Sequence, residues 1–157
     1  MPLLGRVDVA TIAAIAAAAR RYSAGAVRFT PWRGVVFPGV SGTDRAALLH
    51  VLVAAGLVVE PSDPAAAIMA CVGSGGCTSG STDAIGDARR IGDARRRVNR
   101  APLDIHVSGC AKRCAAHTAT SVTLVGTGPD RYDLYSREEL LVGDLSAAEA
   151  VAVVSAW

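Results

Sequence analysis

Aromatic residues make up only 4% of this 157-residue chain, two Trp, two Phe and three Tyr. A core must therefore be assembled from Val, Leu, Ile and Ala, whose modest size favours close packing of elements. The hydrophobic share of 51% is ample for one domain or two small lobes. Net charge is also slight, and +2 is too small to argue for a nucleic-acid partner. The basic cluster Arg89, Arg90, Arg95, Arg96, Arg97 and Arg100 has no aromatic residues interleaved for base stacking and reads as a solvated helix face. Long apolar runs are missing as well. The stretch from Ala10 to Ala19 is about half of what a bilayer requires, and Arg20 and Arg21 close it. It does not read as a signal peptide either, because Asp8 precedes it, Arg6 alone supplies a basic charge, and Ile12, Ile15 and Ala19 recur with helical period. No membrane and no nucleic acid is expected as a partner, and the expected compartment is the cytoplasm, where thiols stay reduced. Lysine is almost absent: of 16 basic residues the only lysine is Lys112.

Cysteine is rare too, but all four cysteines fall in one pattern, Cys71-x5-Cys77, then 32 residues, then Cys110-x3-Cys114. Thiolates are preferred ligands of zinc and of iron-sulfur clusters, and two close pairs serve one centre if the fold brings them together. Structural zinc sites favour C-x2-C knuckles, which neither pair has. A cubane is wider than a single ion. Longer spacers, with Gly73, Gly75, Gly76 and Gly109 allowing close backbone approach, let each pair reach different corners of it. The pattern points to a 4Fe-4S cluster. Two disulfides are disfavoured by the expected compartment and by a core that does not need them, and a set of buried free thiols is the plainest alternative.

Local signals give the element order. Asp8 caps a helix running to Tyr22 and stopped by Gly25. Two strand-like runs, Ala26 to Thr30 and Gly34 to Pro38, flank the turn Pro31-Trp32-Arg33, with Trp32 read as a packing residue. Ser41 or Thr43 caps a second helix to about Ala55, which Gly56 ends before the apolar run Leu57 to Val59. Helix, strand, strand, helix, strand matches part of a ferredoxin-like α+β sandwich. Glu60-Pro-Ser-Asp-Pro64 reads as a linker, dividing the chain into residues 1–60 and 61–157. The second lobe holds the cysteines, a long helix from Ser81 to Asn99, a strand Leu103 to Ser108 leading into a short helix at the second cysteine pair, a hairpin of residues 121–126 and 131–136, and a last helix capped by Ser146. The long helix contains the same hexapeptide twice, from Ile85 and from Ile91, a local duplication too brief for a repeat architecture.

The strings Ala70-Cys-Val-Gly-Ser-Gly-Gly-Cys77 and His106-Val-Ser-Gly-Cys-Ala-Lys-Arg-Cys114 resemble the C-x5-C and C-x3-C signature of the nitrite and sulfite reductase superfamily. With Arg28-Phe-Thr-Pro-Trp-Arg33 upstream, the chain most resembles the precorrin-3B synthase family within it, and only that family's C-terminal half. The resemblance implies an α+β fold in which a ferredoxin-like half-domain is followed by an α/β nitrite/sulfite reductase 4Fe-4S domain of the haemoprotein-like kind. It implies that Cys71, Cys77, Cys110 and Cys114 ligate the cluster and that Arg28, Arg33 and Lys112 contact a tetrapyrrole. Arginine's planar fork suits the many carboxylates of such a macrocycle. Lys112 and Arg113, within the cluster loop, are placed to stabilise a reduced cluster. The activity implied is an oxidoreductase step of aerobic cobalamin biosynthesis, precorrin-3A to precorrin-3B, with an electron donor and a separately encoded N-terminal half as partners. A siroheme-dependent nitrite or sulfite reductase half, and a cluster-binding electron-transfer module without activity alone, are the alternatives. Siroheme or a mononuclear iron is the further cofactor to be considered, with His106 or His117 as the iron ligand and His50 a weaker candidate.

Overall fold

The helix expected after Asp8 spans Val9–Tyr22 (α1), and the Asp8 carboxylate accepts the Thr11 N–H at 2.7 Å. Such a cap satisfies one of the donors that a helix start leaves unpaired. The computed structural model describes residues 1–116 and 118–157, which divide into two units, Met1–Ala66 and Ala67–Trp157. In the first unit α1 is followed by a small antiparallel hairpin, β1 (Arg28–Phe29) and β2 (Val35–Val36), with Arg28 opposite Val36. Next comes α2 (Arg45–Ala54). Its N-cap is Asp44 rather than Ser41 or Thr43, and Asp44 makes no side-chain capping bond. The Ser41 hydroxyl instead accepts the Asp44 N–H at 3.1 Å and donates to the Asp44 carboxylate at 2.7 Å, which spends both side chains on the turn ahead of the helix. The strand expected from Leu57 to Val59 is reduced to a single bridge between Leu57 and Pro2. Ile15 and Ala18 of α1 meet Leu48 and Leu52 of α2 and Leu57 in the core of this unit. Trp32 is not part of that core, being 81% exposed at the hairpin turn, and Phe29 of β1 is exposed as well.

The second unit is built on a five-stranded mixed sheet in chain order, β3 (Ile68–Ala70), β4 (Ile105–Ser108), β5 (Val122–Gly128), β6 (Arg131–Ser136) and β7 (Glu139–Ser146). The first three strands are parallel and the last three antiparallel. Parallel neighbours need a crossover, and α3 (Ala84–Arg97) supplies it between β3 and β4. All four residues of β4 are buried, as a parallel strand covered on both faces requires. The final helix, α4 (Ala147–Ala156), begins with a complete capping box of Ser146 and Glu149 and packs against α3. The Ser146 bonds hold the Glu149 carboxyl below its usual range.

The duplicated hexapeptide shows why the basic run is only partly a solvated face. Six residues are not a whole number of helical turns, so equivalent positions point in different directions. Asp87 of the first copy is buried and accepts the Tyr132 hydroxyl at 2.7 Å and an Arg90 N–H at 2.5 Å. Asp93 of the second copy is exposed and pairs with Arg96. Arg89 is exposed, but its counterpart Arg95 is 2% exposed and donates to the carbonyls of Val154 and Ala101 at 3.2 and 2.8 Å. Burial, and then the neighbouring Arg100, lower the Arg95 pKa. The carbonyls of Val154, at the end of α4, and of Ala101 offset that cost, and Arg100 donates to Ala156 at the same helix end at 2.7 Å. The basic run is thus divided between solvent and the C-terminus of α4.

Candidate metal centre

Two neighbouring parallel strands bring the cysteines together. Cys71 follows β3 directly, Cys110 stands two residues beyond β4, and the strands are aligned with Ala70 opposite Val107. The Cys71 N–H continues that ladder by donating to the Val107 carbonyl at 3.1 Å. Both pairs therefore lie outside the carboxyl ends of parallel strands, where open α/β sheets place their ligands.

Glycines let the two loops approach. After Cys71 the chain makes one 3-10 turn over Gly73–Gly75, with Gly73 at φ 65°. A Cβ on Gly80 would stand 2.5 Å from the Gly73 carbonyl carbon, one on Gly109 would stand 2.9 Å from the Gly73 Cα, and one on Gly126 would stand 2.6 Å from the Gly109 oxygen. The opposing atoms are backbone and cannot turn aside, so four glycines interlock the first loop, the second loop and β5. Of the glycines beside the cysteines, Gly75 has open space and Gly76 meets only the Val72 side chain. Serines complete the seam: Ser81 donates its N–H and its hydroxyl to the Gly109 carbonyl at 2.8 and 3.0 Å, and the Ser108 hydroxyl donates to the Cys110 carbonyl at 2.7 Å.

Cys71, Cys77, Cys110 and Cys114 all line one cavity of about 230 Å³, together with Lys112, Val72 and Ala115. None is in a disulfide; Cys114 is exposed and the other three are half-buried. The Gly109 N–H donates to the Cys71 Sγ at 3.1 Å, an outer hydrogen bond of the kind that tunes a metal-bound thiolate. Among the described residues no three His, Cys, Asp or Glu side chains lie close enough to hold a single metal ion. Four free, soft thiol donors lining one cavity are the donor set that an iron-sulfur cluster takes.

The second cysteine pair lies in bends and turns, and the short helix expected there does not form. Lys112 lines the thiol cavity and its ammonium donates to the Ser79 hydroxyl at 3.0 Å, so it bridges the two loops. Arg113 turns elsewhere. Its guanidinium lies 4.4 Å from the centre of the Tyr135 ring and pairs with Glu138. It borders a separate 180 Å³ cavity with His106, Thr120 and Thr123. His106, 1% exposed on β4, is thus placed on that cavity and not on the one the thiols line, while His117 lies outside the described residues. His50 is exposed on α2. In the first unit Arg28 is exposed on β1, and Arg33, at φ 61°, packs over Gly5, where a Cβ would stand 2.4 Å from the Arg33 Cδ. Partial burial lowers the Arg33 pKa.

Comparison with known proteins agrees with this architecture. The profile of the nitrite/sulfite reductase ferredoxin-like half domain matches residues 1–55. A precorrin-3B synthase of Sinorhizobium sp is 30% identical over 129 residues, 82% of this chain and 28% of that protein. Sulfite reductase (ferredoxin) 2 of Mycolicibacterium paratuberculosis is 27% identical over 133 residues, 80% of this chain and 24% of its own length. In fold, the chain resembles the Mycobacterium tuberculosis NirA protein with a TM-score of 0.77 at 19% identity, covering 98% of this chain and 33% of that one. It also resembles dissimilatory sulfite reductase I, with a TM-score of 0.62 at 13% identity over 80% of this chain and 31% of that one. The fold is α+β, a ferredoxin-like half-domain followed by a mixed-sheet unit of the nitrite/sulfite reductase type. The chain belongs to the nitrite and sulfite reductase superfamily, and it spans 28% and 24% of the length of the two curated relatives described. Among the described residues no helix is long and apolar enough to cross a membrane.

Proposed function

We propose that this chain is the cluster-binding part of an oxidoreductase of precorrin-3B synthase type, acting in the oxidation of precorrin-3A to precorrin-3B in cobalamin biosynthesis. The observation that carries the reading is the convergence of four free thiols on one cavity at the ends of two parallel strands. Cys71, Cys77, Cys110 and Cys114 would hold a 4Fe-4S cluster, which when bound supplies one-electron transfer. The Gly109 N–H supports the Cys71 sulfur, and Lys112 gives the cavity a positive charge and a fixed link between its two loops. The substrate's carboxylates are assigned to Arg28, Arg33 and Lys112, where cation and anion pair by charge-assisted hydrogen bonds. A tetrapyrrole, an electron donor and a further polypeptide half are the partners of this reading, the last because the relatives are much longer. Thiolate ligation also favours a reducing compartment, the cytoplasm.

The sulfite reductase relative supports a second reading, a siroheme-dependent nitrite or sulfite reductase half. One preparation separates the two. The chain is purified without oxygen, and its iron, sulfide, ultraviolet-visible spectrum and electron paramagnetic resonance after reduction are measured. About four irons and four sulfides per chain are expected. A Soret band would favour the siroheme reading, and a colourless protein would end both. Replacing Cys114 with Ser should abolish stable cluster assembly, because a hydroxyl is a harder and less acidic ligand; full iron and sulfide in Cys114→Ser would remove Cys114 from the ligand set.

A further inference from the structure

We infer that Arg113, Tyr135 and Glu138 form a strap that positions Cys114, an inference that rests on the cluster reading above. Cys114 is the one exposed thiol of the four, and its loop has neither helix nor strand to hold it. The loop's own hydrogen bond, from the Arg113 N–H to the Cys110 carbonyl, is long at 3.4 Å. The restraint comes from outside. Arg113, the residue before Cys114, lays its guanidinium over the Tyr135 ring on β6 at 4.4 Å and pairs with Glu138 in the β6–β7 turn.

Both ends of this contact sit on backbone that L-residues adopt reluctantly. Arg113 has φ 49°, and the turn residues Arg137 and Glu138 have φ 46° and 74°. None of the three is glycine. In the two-residue turn between Ser136 and Glu139 a positive φ at both positions is the geometry a tight hairpin takes. At Arg113, where no hairpin imposes it, a left-handed backbone persists because its surroundings over-determine it. An exposed ion pair alone holds little, but the stacked ring, the pair and the two turned backbones act on the same guanidinium. On its other side the loop is tied by Lys112 to Ser79. Cys110 to Cys114 is therefore fastened at neighbouring residues to the first cysteine loop and to the sheet. Releasing the sheet side would let the Cys114 sulfur leave its place on the cavity.

The test compares the full chain with Arg113→Gly and Glu138→Gln. Glycine is at ease at a φ of 49°, so Arg113→Gly removes the strap without straining the loop. Each protein is reconstituted anaerobically with iron and sulfide and then challenged with a ferrous chelator. Iron release about tenfold faster than in the parent is expected for both variants, the scale on which outer contacts affect metal retention. Melting curves should be preserved, and the electron paramagnetic resonance line shape of the reduced protein should change. Parent-like release in both variants would overturn the strap. A parent chain that takes up no iron or sulfide would overturn the cluster reading instead. The strap would then still be decided by labelling the metal-free protein with a thiol reagent. Mass spectrometry should show faster labelling of Cys114 in the variants with Cys71 unchanged, and equal rates at Cys114 would refute it.

Discussion

Cys71 and Cys77 belong to a loop shaped by backbone against backbone, whereas Cys110 and Cys114 belong to a loop held largely by side chains. In the first, Gly73, Gly80 and Gly109 stand so close that no Cβ fits, and main-chain bonds such as Cys77 N–H to the Gly73 carbonyl at 3.0 Å close the turn. In the second, Lys112 reaches Ser79, Ser108 reaches the Cys110 carbonyl and Arg113 reaches Tyr135 and Glu138. A backbone seam accepts a substitution or breaks, because its atoms have nowhere to move. A side-chain suspension fails by degrees. The same cavity thus has one rigid wall and one adjustable wall, and the adjustable wall carries the most exposed sulfur.

Mutations should separate the two walls, the largest effect falling on the rigid one. Gly80→Ala puts a methyl against the Gly73 carbonyl carbon and the Ser74 nitrogen; a loss of about 3 kcal/mol in urea unfolding and loss of iron uptake are expected. Unchanged stability would show that the seam is not locked. Tyr132→Phe removes from β6 the hydroxyl that donates to the buried Asp87 of α3, leaving one carboxylate oxygen without its donor. The expected cost is about 1–3 kcal/mol by denaturation. This tyrosine also has a pH signature. Burial pushes its pKa upward from 10.0, so the fold favours the neutral phenol. The stabilisation is present below about pH 10 and lost as pH rises through and beyond it, and the phenylalanine variant should lack this part of the alkaline decline. An identical decline in both proteins would contradict the assignment.

Smaller changes are expected on the adjustable wall. Ser108→Ala removes a buried donor to the Cys110 carbonyl, and about 1 kcal/mol should be lost in the same urea assay. Lys112→Met should change stability by less than about 0.5 kcal/mol, since its bond is exposed. In the reconstituted protein it should lower the reduction potential, because a cation that favours the reduced form is removed. A redox titration giving the parent potential would place the ammonium outside the cluster's field.

Much of this fold was legible from local signals. Asp8 and Ser146 start their helices because a short polar side chain ahead of an apolar run serves the first free N–H groups. The β5–β6 hairpin follows from an apolar run and an alternating polar and apolar run around a turn. Other elements were hidden. β3 has three residues and a pattern no stronger than that of a loop, and β7, which stays exposed through Leu140, Leu141 and Val142, has no inward and outward alternation. In the site, Gly73 and Gly109 could be noticed beside their cysteines. Gly80 and Gly126 could not, because their close approaches join segments far apart in the chain. Tyr135 and Glu138 escaped notice likewise, since only the pairing of β6 with β5, and of β5 with β4, brings them to Arg113.

The repeated hexapeptide in α3 gives the protein a built-in control for surface chemistry. Arg89 and Arg95 have the same five neighbours within their copies, yet one faces water and the other is sealed under α4 with its guanidinium on carbonyl oxygens. A dicarbonyl reagent selective for arginine should mark the first and spare the second in the native fold, then mark both after denaturation. The difference between twin peptides reports the closure of α4 over α3 from inside a single molecule.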